Sequence, residues 1–375
     1  MTAAVQPAES ERYLTEQIIT YLGNKRALLS FLGRAVDEVC AALGRDKLDA
    51  ADLFSGSGIV ARFLKRYART LYVNDLEGYC RTISSCYLTD AAAVDQDALR
   101  ARHDALCARI AREGFRPGFL AELYAPRDDA CIRPGERVFY TTRNARYLDT
   151  CRQLLEEEPE PFRTLLLAPL LYEASVHTNT AGVFKGFYKN SVTGIGQYGG
   201  NGRNALARIR GDIALPLPVF SRFRCETQVF REDALALAAR LPRLDLVYLD
   251  PPYNQHPYGS NYFMLNLIND YRRPAAVSGV SGIPRDWNKS AWNRRAAARE
   301  QMGALCAALD ARFLLISFNS EGFLSREEML SLLAEIGRVR VMETPYNAFR
   351  GSRNLAGREL RVKEYLYLVD KGSRA

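Results

Sequence analysis

Four consecutive residues, Asp250-Pro251-Pro252-Tyr253, carry the most specific chemistry in the sequence. They follow the apolar run 244–249. The two prolines prevent both continued sheet pairing and an immediate helix, so the backbone is rigid there and the Pro251 carbonyl is left to accept a hydrogen bond. A carboxylate and a carbonyl that accept both hydrogens of a planar amino group localise its lone pair toward a methyl donor and stabilise the charge that develops. Tyr253 offers a flat face on which an extruded base could stack. The pattern predicts methylation of an amino group.

A second candidate site is the loop Asp52-Leu53-Phe54-Ser55-Gly56-Ser57-Gly58. Gly56 and Gly58 permit a tight turn and close approach of a ligand, and Asp75, 17 residues beyond Gly58, is placed to accept hydrogen bonds from ribose hydroxyls. These features predict an adenosine-containing cofactor. The loop alone does not choose between a nicotinamide and a methyl donor, because Ala61 stands at the third position of the dinucleotide fingerprint, which in its looser form tolerates alanine.

Alternating strands and helices must position these residues. Apolar runs and helical spacing predict a strand, helix and strand over 48–54, 59–67 and 70–74, the opening unit of a doubly wound α/β sheet. The alternation returns late in the chain, with predicted strands over 227–231, 244–249, 312–318, 339–343 and 363–369 and helices over 234–241, 291–309 and 325–336. Ligands bind past the carboxyl ends of such strands, so we expect Asp52, Asp75 and Asp250 to lie at one edge.

The region between these two parts lacks that alternation. Residues 95–225 contain helical stretches, such as 147–157 and 163–176, followed by a glycine-rich segment. We predict that residues 11–94 and 226–371 form one Rossmann-like doubly wound catalytic domain and that 95–225 form a mostly helical insert. Ahead of the sheet, residues 13–20 are predicted to form a short amphipathic helix, followed after Gly23-Asn24 by a longer one over 27–43.

Composition and charge narrow the function classes. The chain has 375 residues, 47% of them hydrophobic, and a net charge of +8, which favours an acidic partner such as nucleic acid. Residues 181–224 carry seven basic groups against Asp212 alone, interleaved with glycines and aromatics, which favours binding over a merely solvated face. Eight cysteines form no CxxC pair, so we expect no metal, and the absence of long apolar runs and of a signal peptide predicts a cytoplasmic protein.

With these motifs in this order, the sequence resembles the Dam-like class of adenine-specific DNA methyltransferases. The resemblance extends over nearly the whole chain and rests on Tyr21-Leu22-Gly23-Asn24-Lys25, the loop 52–58, the insert, Asp250–Tyr253 and the late string 346–354. It implies a Rossmann-like fold, S-adenosylmethionine as the cofactor, and transfer of a methyl group to the N6 amino group of a flipped adenine in double-stranded DNA. Such enzymes occur alone or in restriction-modification systems, where a cognate restriction endonuclease is the partner.

The resemblance also implies roles for individual residues. The catalytic residues would be Asp250, Pro251, Pro252 and Tyr253. The cofactor site would consist of Tyr21, Gly23, Lys25, Asp52, Phe54, Gly56, Gly58, Asp75, Asp233 and Asp250, although Asp233 could equally be a helix cap. Sequence recognition would lie in the insert 95–225. The DNA-binding candidates are Lys185, Lys189, Arg203, Arg350 and Arg353, of which the last two could instead be ordinary surface residues.

Other activities share parts of this pattern. The same acceptor geometry would serve RNA adenine, the N4 amino group of cytosine or a glutamine amide, although aspartate at position 250 argues against the last two. A catalytically silent DNA-binding homologue would be a protein of another class. The intact set of Asp250, Tyr253, Asp75 and Lys25 argues against it.

Overall fold

A seven-stranded sheet forms the centre of the computed structural model, which describes residues 8–200, 202, 205–347 and 361–372. The strand order is β3-β2-β1-β4-β5-β7-β6. The strands β1 to β5 are parallel, whereas β7 lies antiparallel between β5 and β6. The strands are β1 Leu48–Asp52, β2 Ala68–Asn74, β3 Glu226–Phe230, β4 Leu244–Leu249, β5 Ala311–Asn319, β6 Arg338–Asn347 and β7 Arg361–Asp370.

Helices cover both faces of this sheet. In residues 11–94 and 226–371 they are α1 Leu29–Leu43, α2 Ile59–Leu64, α3 Gly78–Tyr87, α9 Ala234–Ala238, α10 Tyr258–Asn261, α11 Phe263–Asp270, α12 Arg295–Ala308 and α13 Arg326–Ala334. Between β2 and β3 lie α4 Gln96–Glu113, α5 Phe119–Tyr124, α6 Thr142–Leu155, α7 Phe162–Val176 and α8 Leu206–Arg210. Short 3-10 helices occur at Glu11–Leu14, Arg26–Leu28, Ala91–Ala93 and Ala291–Asn293.

The strand order reverses between β1 and β4. Their parallel pairing aligns Ala50 with Leu246 and Asp52 with Tyr248, so the glycine loop and Asp250 leave the sheet at the same edge. A ligand site in a doubly wound sheet lies at such a reversal, past the carboxyl ends of the strands. The predicted α/β fold and its parallel strands are confirmed, and the reversal explains why residues about 200 positions apart meet.

The region 95–225 does not stand apart from the sheet. Its buried helix α7 shares a hydrophobic cluster with α3 and α11, in which Leu166 and Leu170 accompany Ile83, Phe263 and Ile268. The segment that follows α11 also packs on this region, because the Tyr124 hydroxyl donates to the Gly282 carbonyl at 2.7 Å. Residues 95–225 therefore pack on elements that precede the motif at position 250 in the chain and on elements that follow it.

The predicted helix over 13–20 is wrong. After the 3-10 helix Glu11–Leu14 the chain is irregular, and Gln17 has a φ of +51°. The buried guanidinium of Arg62 explains the difference, since it donates to the carbonyls of Tyr13 at 2.9 Å, Glu16 at 3.0 Å and Gln17 at 2.9 Å, which a helix would have used internally. The predicted helix over 291–309 likewise divides at Arg294, whose backbone is extended.

Two further findings concern the described residues only. No helix in them combines the length and the apolar character needed to cross a membrane. Within the same ranges, His, Cys, Asp and Glu side chains form no group of three or more that could hold a metal ion.

Arg62→Met should lower the free energy of unfolding by about 3 kcal/mol, because three carbonyls lose their donor and two of them belong to the buried residues Tyr13 and Gln17. Urea denaturation followed by circular dichroism measures this. Arg66→Met is the matched control, since Arg66 is exposed and should change stability by less than about 0.5 kcal/mol. Equal losses in both variants would contradict the anchoring role of Arg62.

Candidate active site

A cleft of about 860 Å³ opens at the carboxyl ends of the parallel strands. Its walls come from the segment before α1, the loop after β1, the ends of β2 and β3, and the motif after β4. The predicted cofactor residues that line it are Tyr21, Gly23, Lys25, Asp52, Phe54, Gly56, Asp75, Asp233 and Asp250. Gly58 instead lies at the start of α2, where its φ of +76° serves the turn. The predicted residues thus meet at one place.

The glycine loop is fixed by Asp75. One carboxylate oxygen of Asp75 accepts from the Gly56 amide at 2.8 Å and the other from the Glu77 amide at 2.9 Å. Gly56 has a φ of +49°, and a Cβ atom there would lie 2.7 Å from the ring of Tyr21. Any larger residue would therefore clash with the ring and strain the backbone.

Tyr21 belongs to a group of three stacked tyrosine rings. Its centroid lies 5.0 Å from that of Tyr258 and 4.7 Å from that of Tyr262, with interplanar angles of 16° and 22°. The next backbone amide, that of Leu22, donates to the Tyr262 hydroxyl at 2.7 Å. This stack holds the segment 21–25 against the helices that follow the motif at position 250.

Two carboxylates meet the buried ammonium of Lys25. Its ammonium nitrogen lies 3.0 Å from Asp250 Oδ2, 3.3 Å from Glu364 Oε1 and 3.3 Å from the Gly23 carbonyl oxygen. The side chains of Lys25 and Glu364 are only 3% and 1% exposed, and that of Asp250 is 17% exposed. Asp250 therefore faces the cleft, while the other two charges lie behind it.

Burial is the main influence on the protonation of Asp250. The pKa of the carboxyl is raised to about 6, because burial raises it by more than Lys25 lowers it, and the negative charge of Glu364 adds to the rise. At neutral pH Asp250 is therefore ionised and can accept hydrogen bonds. The ammonium of Lys25 lies next to this carboxyl and favours its ionised form, so Asp250 stays charged near the working pH of an enzyme although it is buried.

Asp52 has an unusual environment. It is 1% exposed, its Oδ1 accepts from the Phe54 amide at 3.4 Å, and its Oδ2 has no hydrogen-bond partner in the described structure. Burial, and next the charge of Asp250, raise the pKa of this carboxyl well above its usual range. A buried oxygen at a cleft that lacks a hydrogen-bond partner is a position at which a hydrogen-bond donor of a ligand would be stabilised.

The remaining catalytic candidates surround Asp250. Pro251 is buried and Pro252 lines the cleft. The ring of Tyr253 packs edge-on against Phe318 at a centroid distance of 6.0 Å, and its carbonyl accepts from the Phe323 amide at 2.9 Å. The turn after β4 is therefore tied to the turn after β5.

Asp233 has the helix-cap role that the sequence left open. It precedes α9, and its Oδ1 accepts from the amides of Leu235 at 3.0 Å and Ala236 at 3.2 Å. It also lines the cleft, so capping and ligand contact are compatible.

The structure adds site residues that the sequence analysis missed. Glu77 is 3% exposed at the cleft wall and accepts from Asn266 Nδ2 at 2.5 Å and Asn288 Nδ2 at 3.0 Å, and burial raises its pKa to about 7. The Asn74 amide donates to the carbonyls of Leu53 and Glu232, which joins the loops after β1 and β3. Glu77, two residues after Asp75, could have been found by extending the search past the strand end.

The basic residues of the segment 181–224 lie in two different places. Lys185 is exposed. Burial lowers the pKa of His256, which is three residues beyond Tyr253, and the charge of Lys185 lowers it further. The adjacent Phe184 amide donates to the Asn261 carbonyl at 2.7 Å, and Lys189 lies 5.1 Å from the centre of the Phe187 ring. This part of the insert therefore lies beside the motif at position 250.

Other basic residues of the same segment lie elsewhere. Arg208 is a structural residue, because it donates to the Thr178 carbonyl at 2.9 Å and to two neighbouring carbonyls. Arg222 and Arg224 are exposed just before β3, at the amino ends of the parallel strands and opposite the cleft. Three of the predicted DNA-binding residues, Arg203, Arg350 and Arg353, lie outside the described residues.

Fold and cleft together define a Rossmann-like methyltransferase. Residues 21–277 match the sequence profile of the D12 class N6 adenine-specific DNA methyltransferases. Type II methyltransferase M.CviAII of Paramecium bursaria Chlorella virus 1 is 29% identical over 357 residues, which cover 94% of this chain and 98% of that protein. Type II methyltransferase M.NlaIII of Neisseria lactamica is 28% identical over 362 residues, covering 94% and 99%. The chain belongs to the D12 class N6 adenine-specific DNA methyltransferase family.

This membership confirms the predicted activity. The chain is an adenine-specific DNA methyltransferase, so its substrate is DNA and it requires a methyl donor.

The protonation of Asp250 should control the rate at low pH. Because its pKa lies near 6 and the ionised form is the stronger hydrogen-bond acceptor, kcat/KM should fall by up to about tenfold per pH unit below that value. Lys25→Met removes the cation that lowers this pKa, so the acid limb of the pH–rate profile should move to higher pH by about one unit or more.

Lys65→Met is the matched control for this measurement. Lys65 is a fully buried lysine that pairs with Asp90 away from the cleft. Its loss should leave the acid limb in place. A Lys25→Met profile that superimposes on that of the parent would contradict the role given to Lys25.

Proposed function

We propose that the methyl donor is S-adenosylmethionine and that the cleft selects it by charge. The described cleft lining contains six acidic residues and a single basic residue, Lys25, whose ammonium already faces three protein oxygens. The acidic residues are Asp52, Asp75, Glu77, Glu232, Asp233 and Asp250. S-adenosylmethionine carries two cationic groups, a sulfonium and an ammonium, which such a cleft would stabilise.

The same charges argue against a dinucleotide. A nicotinamide cofactor carries a pyrophosphate, which helix N-termini and basic side chains bind in other enzymes. Here the glycine loop faces carboxylates. These surroundings therefore disfavour a nicotinamide cofactor, the alternative that the sequence of the loop left open.

The residues present fit the cofactor. Asp52 supplies a buried oxygen that has no partner among the described residues, Gly56 lets the loop backbone approach the Tyr21 ring where a Cβ atom would clash, and Asp75 is held where hydroxyl groups of a ribose could donate to it. Asp233 would contact the adenine end, and Tyr21, Gly23 and Phe54 would complete the walls. When bound, S-adenosylmethionine supplies an electrophilic methyl group.

We infer that Asp250 accepts one hydrogen of the adenine amino group. Lys25 binds Asp250 at Oδ2, and a carboxylate has about four lone-pair sites, so Asp250 keeps acceptor capacity for the substrate. The Pro251 carbonyl would accept the second hydrogen. With both hydrogens held, the nitrogen lone pair points out of the adenine plane and can attack the methyl carbon.

The cofactor would supply the methyl group, with the bond from its carbon to sulfur breaking as the bond to nitrogen forms. The product nitrogen would be cationic and strongly acidic, so its proton would pass to Asp250 or to water. Tyr253 would stack on the flipped base, since an enzyme that acts on a base must extrude it from the duplex.

The insert 95–225 would read the DNA sequence, and Lys185 and Lys189 would contact phosphates of double-stranded DNA. Two observations support this: the contact between the segment around Phe184 and α10, and the proximity of Lys185 to His256. Arg203, Arg350 and Arg353 remain candidates for further phosphate contacts.

A role in a restriction-modification system is supported by the relatives. Both M.CviAII and M.NlaIII are named type II methyltransferases and align over nearly their whole lengths. We therefore propose that the enzyme protects host DNA from a cognate restriction endonuclease. Such protection takes place in the cytoplasm, where that DNA lies.

The observation that carries the mechanism is the Lys25–Asp250 ion pair at the cleft, and Asp250→Ala tests it. The purified enzyme should transfer labelled methyl groups from S-adenosylmethionine to duplex DNA, and mass spectrometry of the nucleosides should find N6-methyladenine. Asp250→Ala should lower the rate about a thousandfold, since it removes an acceptor that acts in the transition state.

The matched control is Asp245→Ala on the same strand β4. Asp245 lies at the amino end, where it accepts from Arg45 and from the Asp49 amide. Its loss should leave the product and the chemical rate unchanged. N4-methylcytosine as the product, or methylated RNA in place of DNA, would overturn the assignment, and an active Asp250→Ala variant would overturn the mechanism.

The double variant Lys185→Ala/Lys189→Ala tests the proposed DNA surface. It should weaken DNA binding by about tenfold or more and lower the slope of log K against log salt, with little change in cofactor affinity. Fluorescence anisotropy over a range of salt concentrations measures both quantities.

Arg222→Ala/Arg224→Ala is the control, because it removes the same charge from exposed residues at the opposite edge of the sheet. It should bind DNA nearly as the parent does. Equal losses in the two double variants would show that only net charge matters and that the proposed surface is wrong.

A further inference from the structure

The contacts of the Lys25 ammonium account for all three of its hydrogens. Asp250 Oδ2, Glu364 Oε1 and the Gly23 carbonyl oxygen lie at 3.0, 3.3 and 3.3 Å, and the lysine side chain is 3% exposed. An ammonium has three donors. Lys25 therefore acts on protein groups, and its effect on the reaction passes through Asp250.

Glu364 is the less expected of the two carboxylates. It lies within β7, outside the segment 21–277 that matches the family profile. It is 1% exposed, and its Oε1 accepts from the Ser317 hydroxyl at 2.6 Å. Ser317 is itself fully buried on β5, next to β7 in the sheet. A buried carboxylate held in this way has a fixed direction.

Two carboxylates thus share one ammonium. A buried carboxylate is costly unless it is paired, and here Lys25 serves both. The set of Lys25, Asp250 and Glu364 carries one net negative charge when all three are ionised. If Glu364 were neutral, Lys25 would compensate Asp250 alone, and Asp250 would be a weaker hydrogen-bond acceptor.

We propose that Glu364, oriented by Ser317, is a positioning residue that draws part of the charge of Lys25 away from Asp250 and thereby keeps Asp250 a strong acceptor for the adenine amino group. This inference rests on the proposed role of Asp250. Glu364 itself would touch neither DNA nor cofactor, since Lys25 stands between it and Asp250.

Glu364 raises the pKa of Asp250, whereas Lys25 lowers it. Removal of each charge should therefore move the acid limb of the pH–rate profile in opposite directions. Among the described residues, the other titratable groups that act on this set are Asp52 at the end of β1, Tyr248 on β4, Tyr253 after β4 and Tyr258 on α10. They are common to all of the variants below.

Glu364→Gln is the first test, because the amide keeps the size and the acceptor for Ser317 while it removes the charge. The single-turnover rate of DNA methylation at pH 8 should fall about tenfold, and the acid limb should move to lower pH. Dissociation constants for DNA and S-adenosylmethionine should change less than about threefold. Lys25→Met, measured alongside, should move the limb to higher pH.

Two further variants keep the test informative if Glu364→Gln folds poorly. Ser317→Ala retains the charge of Glu364 but frees its direction, so it should lower the rate less than Glu364→Gln does. Asp370→Asn removes a carboxylate from the same strand, where it pairs with Arg312 at 2.8 Å, and should leave the pH profile unchanged.

A Glu364→Gln enzyme with the parent's rate and pH profile would overturn the inference, and so would a loss of rate with an unmoved acid limb, which a purely structural role would give. These outcomes differ from failure of the proposed function itself. In that case the parent enzyme would not form N6-methyladenine, or Asp250→Ala would remain active.

Discussion

An ammonium buried between two carboxylates is the constraint on which the site depends. Without Lys25, Asp250 and Glu364 would be like charges close together in a region of low dielectric, which is strongly unfavourable. The ends of β4 and β7 and the segment before α1 must therefore converge on one point. That convergence fixes the segment 21–25 against the sheet and brings the Tyr21 ring over Gly56. The wall of the cleft and the geometry of Asp250 thus have a common origin.

Acidic and basic side chains lie in different places on the molecule, and each set suits a different ligand. Six of the seven described charged side chains that line the cleft are acidic, which suits the cationic methyl donor proposed above, whereas Lys185 and Lys189 lie on the segment that packs against α10 beside the motif at position 250. The net charge of +8 is consistent with attraction to a polyanion without a uniformly basic surface. The motif at position 250 lies between these regions. A base drawn out of DNA by one side would reach a methyl group held by the other.

How far the sequence predicts this arrangement depends on the range of each interaction. Strand β4 and the glycine loop have strong local patterns, and the rule that ligands bind past strand ends brought Asp52, Asp75 and Asp250 together correctly. Glu364 had no local signal, since its role follows from the antiparallel insertion of β7 beside β5. The helix predicted over 13–20 failed for a similar reason: its carbonyls bind Arg62, about 46 residues away. Local patterns cannot contain such distant partners.

Binding of a cation and ionisation of the cleft are linked. Burial raises the pKa of Asp52 well above its usual range, that of Glu77 to about 7 and that of Asp250 to about 6, so part of this acidic set is protonated near neutral pH when no cation is bound. A cationic ligand favours their charged forms and would displace protons as it binds. Asp250 is already mostly ionised at neutral pH, so the protons displaced there would come chiefly from Glu77, whereas at lower pH binding of the proposed cofactor would also favour the ionised form of Asp250 that the proposed mechanism uses.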